Sequence, residues 1–158
     1  MTHSELVQIG ANYMRYTMRC SPVVTERGSM RHFEKPDVFG WRQQPLKDKL
    51  AGKPFDTVES ILFECKVSRA DFLKDQKKRT RVDGGTLGMG RYRYYFAPAG
   101  LIRPDELPEN WGLIEVKDGK SRLVAHAEYF DGIDVLRREI YLFRSLAQEL
   151  ERLKGLAI

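Results

Sequence analysis

The run Ile61-Leu62-Phe63-Glu64-Cys65-Lys66-Val67 constrains this chain more than any other stretch. It has the apolar density of a buried β-strand, yet it carries a carboxylate and an ammonium two residues apart. Side chains alternate across a strand, so Glu64 and Lys66 share one face while Ile61, Phe63, Cys65 and Val67 cover the other. On a half-exposed strand the pair is an ordinary salt bridge on the solvated face. On a strand buried on both faces it gains nothing unless that face serves a site. The surrounding sequence has to decide between the two.

The chain has 158 residues, the length of one domain spanning 1–158. Hydrophobic residues make up 42% and charged residues 31%, which excludes a disordered composition. No apolar run approaches the ~20 residues that span a bilayer, and the start Met1-Thr2-His3-Ser4-Glu5 lacks the layout of a secretory signal. Cys20 and Cys65 have neither metal-ligand nor redox spacing, so reduced thiols in a cytoplasmic protein are expected. Net charge is +5. From Lys66 to Arg81 there are seven basic residues (Lys66, Arg69, Lys74, Lys77, Lys78, Arg79, Arg81) against two acidic ones (Asp71, Asp75), a difference equal to the whole excess. The charge therefore lies directly behind the informative strand. That suits a polyanion such as DNA, and it equally suits a solvated helix face.

The periodicity predicts a first helix from Ser4 to about Arg19, with Ser4 as N-cap, and a short strand Pro22–Glu26 closed by Gly28-Ser29. A further strand spans about Met30 to Trp41, broken near Pro36, with Asp37, Phe39 and Trp41 on one face. Gln43 to Thr57 reads as a polar loop. After the informative strand, Ser68-Arg69-Ala70-Asp71 starts a helix to about Arg79 or Thr80, and Asp71 suits the helix dipole there. Val82 to Gly90, with four glycines, reads as a mobile loop without phosphate-loop spacing. Tyr92–Ala97 is a strand and Trp111 a core anchor. Gly112–Val116 and Leu123–Ala127 form a hairpin around Asp118-Gly119. Asp134 caps a last helix to about Lys154, with Leu136, Ile140, Phe143, Leu146, Leu150 and Leu153 on its apolar stripe. The order implies an α/β fold in which a mixed central sheet is flanked by helices. The long final helix offers a surface for a homodimer.

If the strands bearing Asp37 and Glu64 pair, two carboxylates and the Lys66 ammonium converge. Paired hard oxygens are what Mg²⁺ or Mn²⁺ takes, and an ammonium beside them can stabilise charge on a phosphodiester under attack. Arg91 and Arg93, interleaved with Tyr92, Tyr94 and Tyr95, could grip phosphates and stack bases, though aromatics at strand spacing also pack cores. His3, His32 and His126 show no ligand pattern.

Pro36-Asp37 followed by Glu64-Cys65-Lys66 resembles the PD-(D/E)XK nuclease motif, and the element order is similar to that superfamily's restriction-endonuclease-like core. Phe63–Phe72, Arg93–Pro98 and Glu109–Leu113 resemble the MmcB-like DNA repair branch. The resemblance implies a metal-dependent DNA nuclease in which Asp37, Glu64 and the backbone carbonyl of Cys65 ligate Mg²⁺ or Mn²⁺ and Lys66 is the catalytic lysine. It offers Glu5 and Gln76 as accessory residues, against plain readings as a first-turn acid and a solvated amide. Arg69, Lys74, Lys77, Lys78, Arg79, Arg81 and Arg91 are the expected DNA contacts. The alternative is a DNA-binding module on the same fold with weak or no catalysis.

Overall fold

The structure, a computed structural model, describes residues 1–27, 35–43, 58–82, 88–132 and 135–156. The turn at Gly28-Ser29, the strand start at Met30, His32, nearly all of the Gln43–Thr57 loop, the middle of the glycine-rich segment and the Asp134 cap lie outside them.

Helix α1, His3–Tyr16, begins two residues before the point that a Ser4 cap would set, because Thr2 is the N-cap. The Thr2 side chain accepts from the Glu5 N–H, and the Glu5 carboxylate accepts from the Thr2 N–H, so two orphan donors are satisfied reciprocally. Six strands follow: β1 Val23–Thr25, β2 Val38–Gln43, β3 Val58–Cys65, β4 Tyr92–Pro98, β5 Trp111–Lys117 and β6 Lys120–Ala125. They form one mixed sheet in the order 1-2-3-4-5-6. β3–β4 and β4–β5 are parallel and the outer pairs antiparallel. The β5–β6 hairpin turns at Asp118-Gly119, both with positive φ, as a two-residue turn between twisted strands requires.

Alternation divides the core into two layers. Ile61, Phe63 and Cys65 pack with Val38, Tyr94 and Phe96 under α1. Leu62 packs with Phe39, Trp41, Tyr95 and Trp111 on the opposite face. That second face is covered by α2, Arg69–Asp75, through Phe72, and by α4, Val135–Leu156, through Leu142 and Leu146. Because both faces of β3 are covered, Glu64 is only 2% exposed, and the solvated-face reading of the Glu64–Lys66 pair fails.

Two expectations are corrected. The helix after β3 stops at Asp75, and Arg79–Val82 forms a separate turn, α3. Between them the N–H groups of Lys77 and Lys78 bond three residues back, a tightening that lets Asp75, Lys78 and Arg81 meet. The expected stripe of α4 is largely uncovered: Leu136, Ile140, Phe143, Leu150 and Leu153 are all more than half exposed, while Val135, Glu139 and Leu142 are buried. The apolar arc of α4 is wider than the strip of sheet beneath it. Among the described residues no helix is long and apolar enough to cross a membrane.

Candidate functional site

Glu64 is the last residue but one of β3 and Lys66 follows the strand, at the carboxyl end of the parallel strands where open α/β sheets place their sites. The antiparallel β2–β3 register pairs Val38 with Phe63 and Phe39 with Leu62. Extended by one residue, it sets Asp37 opposite Glu64 on the same face as Phe39 and Leu62. Asp37 is anchored there by its Oδ2, which accepts from the Cys65 N–H at 2.7 Å. Its Oδ1 lies 3.3 Å from His3 Nε2 on α1.

Glu64 and Lys66 belong to a closed ring of charges. Lys66 Nζ lies 3.3 Å from Glu64 Oε2 and 3.4 Å from Asp75 Oδ1. Arg81 Nε lies 3.0 Å from Asp75 Oδ2, and its Nη2 3.1 Å from Glu64 Oε1. Lys78 adds a contact of 2.6 Å to Asp75, and the Tyr95 hydroxyl donates to Asp75 at 2.7 Å. The Arg81 guanidinium also stacks on Trp111, 4.3 Å from the ring centroid. Two carboxylates and two cations thus alternate in a buried circuit, the arrangement that makes desolvated charge tolerable.

This circuit fixes protonation. Burial works to strip the proton from Lys66, but the carboxylates of Glu64, Asp75 and Asp37 outweigh it and hold its pKa above the ordinary lysine value. Burial would raise Asp75, but Arg81, Lys66, Lys78 and Tyr95 hold it well below the usual carboxylate range. Lys66 is therefore an ammonium at neutral pH, able to stabilise negative charge and unable to act as a general base.

The structure sorts the remaining candidates. Glu5 is engaged in the N-terminal cap of α1, and Gln76 donates to the Glu106 carbonyl at 2.6 Å, so each has a structural task. Arg69, Lys74, Lys77 and Lys78 are exposed along α2 and just beyond it, with Arg69 paired to Glu106. The side chain of Arg79 lies outside the described part. Arg81, 7% exposed, is corrected from a surface DNA contact to a member of the buried circuit, where two carboxylates hold it. Arg91 is corrected too: it is buried at the opposite end of β4, bonded to Asp131 and the Phe130 carbonyl. Tyr94 and Tyr95 are core residues. Sequence reasoning missed Asp75, which read as one acid in a basic helix, and His3, whose partner lies on another element. Spacing carried a signal for Asp75 alone: it is seven residues after Ser68, on the side of α2 that Phe72 turns to the sheet.

As arranged, Glu64 does not fit a divalent ion, since both of its oxygens face cations. Among the described residues no group of three or more His, Cys, Asp or Glu side chains is disposed to hold a metal. The donor types remain those a hard cation takes, with Asp37 facing Glu64 across paired strands.

No family model and no curated protein matches the sequence. Among solved structures the chain is similar to SPO1766, a protein of unknown function from Silicibacter pomeroyi. The likeness has 20% sequence identity and a TM-score of 0.61, and covers 99% of this chain and 92% of that one. It shows a shared fold.

Proposed function

We propose that this protein acts on DNA as a nuclease of PD-(D/E)XK type, dependent on Mg²⁺ or Mn²⁺. The observation that carries the reading is the meeting of Asp37, Glu64 and Lys66 at the carboxyl end of β3, immediately before the exposed basic residues of α2. On this reading Asp37, Glu64 and the Cys65 carbonyl would be the ion's ligands, Glu64 only by exchanging its present cation partners for it, and the ion would supply Lewis-acid polarisation of a phosphoryl oxygen. Lys66, kept as an ammonium, stabilises the charge gathering on that phosphate. Arg69, Lys74, Lys77 and Lys78 attract the DNA backbone without reading its sequence. Two free, buried cysteines are in keeping with a cytoplasmic location.

Incubation with supercoiled, single-stranded and branched DNA in Mg²⁺ or Mn²⁺ tests the proposal. Nicking by the wild type that Lys66→Ala abolishes is the expected result. No nicking of any substrate, or equal cutting by Lys66→Ala, sinks the catalytic reading. The second reading, a DNA-binding module without catalysis, is favoured by one observation: Glu64 is occupied by Arg81. Salt-dependent DNA binding without metal-dependent cleavage would select it.

A second copy of this chain is the partner we propose for α4. Leu136, Ile140, Phe143 and Leu150 recur at heptad spacing along its uncovered side. Arg137 near one end and Glu151 near the other lie on one flank, and a two-fold antiparallel pairing brings them together.

A further inference from the structure

We propose that the cleft between α4 and the amino ends of β3 and β4 binds a small organic cation, a primary ammonium on an apolar body, with Glu139 as its counter-charge. This cleft lies at the opposite end of the sheet from Glu64, so its occupancy does not depend on the nuclease reading. The buried acids among the described residues are Glu59, Glu64, Asp75 and Glu139. Glu59 is paired with Arg42 at 2.9 Å, and Glu64 and Asp75 share Lys66 and Arg81. Glu139, 9% exposed, has no ion pair among the described residues, and its partners are neutral donors. The Ser60 hydroxyl donates to its Oε1 at 2.5 Å, the Gly90 N–H to the same oxygen at 3.3 Å, and the Trp41 indole N–H to the carboxylate. Burial pushes the Glu139 carboxyl above its ordinary value, against these bonds and the more distant charge of Arg91. A buried acid with no cation beside it is the condition that protein interiors ordinarily avoid.

The surroundings of Glu139 fix the class of ligand. Glu139 and Ser60 form the polar floor of a cleft of about 610 Å³, walled by Trp41, Val58, Leu136, Ile140 and Phe143. Apolar walls around a few convergent polar groups are what a small-molecule site requires. The Trp41 and Phe143 rings meet edge to face with centroids 5.1 Å apart, an aromatic corner that suits an ammonium. A metal ion does not fit, since no second acid, His or Cys joins Glu139 in lining the cleft. An anion is repelled by Glu139 itself, and Arg91, which also lines the cleft, is held by Asp131 at 2.8 Å and by the Phe130 carbonyl. Neutral donors leave the charge of Glu139 in place, whereas an ammonium cancels it, and the attraction is strong where water is scarce. Leu136, Ile140 and Phe143 also belong to the face proposed for the second copy. A bound ligand would therefore lie beneath that interface, with ligand binding and dimerisation linked.

Titration of the isotope-labelled protein with phenethylammonium, followed at the indole N–H resonances by nuclear magnetic resonance, tests the proposal. Phenethyl alcohol and phenylacetate serve as the uncharged and anionic counterparts. The chain has two tryptophans, so the readout reports position: Trp41 should shift, and Trp111, outside the cleft, should not. The amine should bind about tenfold or more tightly than either counterpart. Glu139→Gln, which keeps the shape of the side chain, should abolish that preference. Comparison of the three probes on the wild type does not depend on the folding of the variant. Equal affinity for amine and alcohol, a preference that survives in Glu139→Gln, or a Trp41 resonance unmoved by millimolar amine overturns the proposal. A Trp41 shift that follows protein concentration and ignores the amine gives the cleft to the second copy and overturns it as well.

Discussion

Asp75 Oδ1 lies 3.4 Å from Lys66 Nζ, although the two residues come from different elements and both are buried. Asp75 is the hub of the site: it also takes Arg81, Lys78 and the Tyr95 hydroxyl. The lysine that the nuclease reading makes catalytic is thus held from α2, by a residue that spacing along β3 could not reveal.

Asp75→Asn should cost about 3–5 kcal/mol at pH 7, because Lys66 and Arg81 lose their shared counter-charge in a dry site. The pH dependence has a definite sign. A carboxylate whose folded pKa is depressed contributes stability that is complete above its unfolded value of about 4 and is lost as pH falls towards the folded value. The variant should flatten that acid limb. Urea unfolding between about pH 2.5 and 7 checks both effects, and an acid limb as steep as in the wild type would contradict the assignment.

DNA affinity should fall steeply with salt, and Lys74→Ala with Lys77→Ala should lower the log–log slope by about 1–2, one phosphate contact or less per lysine. Arg91→Ala should leave the slope unchanged, since Arg91 is spent on Asp131 at the other end of β4. Fluorescence anisotropy over a salt series distinguishes the two. A slope change confined to Arg91→Ala would move the DNA path to the opposite end of the sheet.

Glu5 separates capping from chemistry. Thr2→Ala should cost about 0.5–2 kcal/mol through the loss of the N-cap, and Glu5→Gln should destabilise α1 slightly while DNA cleavage stays at the wild-type rate. Parallel melting curves and nicking assays read the two quantities separately. A large loss of cleavage in a folded Glu5→Gln would restore Glu5 to the site.

The uncovered side of α4 should close a dimer. Ile140 is 65% exposed and Phe143 56% exposed, beyond what scattered surface apolar residues need explaining. Sedimentation velocity should find a dimer for the wild type and a monomer for Ile140→Lys combined with Phe143→Glu. A wild type that stays monomeric at high concentration excludes the pairing.

The succession of strands and helices along the chain, the β5–β6 turn and the burial of Cys65 were legible because each depends on local pattern: hydrophobic periodicity, Asp118-Gly119, and a thiol on the apolar side of a strand. The pairing of Asp37 with Glu64 needed one inference beyond that, namely that their strands are neighbours. The extent of the helix after β3 was not legible. Helix propensity would carry it on to Arg79, but the Asp75 carboxylate draws in Lys78 and Arg81 at the expense of about one further exposed turn. The placement of the α4 stripe failed for a related reason, since periodicity shows how wide an apolar arc is and not how much of it the sheet covers.

Sequence by itself determined that an apolar strand carries Glu64 and Lys66 on one face and hands the chain to a basic helix. Only the tertiary structure decided that this face is dry and that Asp75 and Arg81 close a ring of charge around the pair. A carboxylate pairs with whichever cation is brought within a few ångströms of it in a low-dielectric interior. That distance is set by how α2, α3 and the sheet pack together.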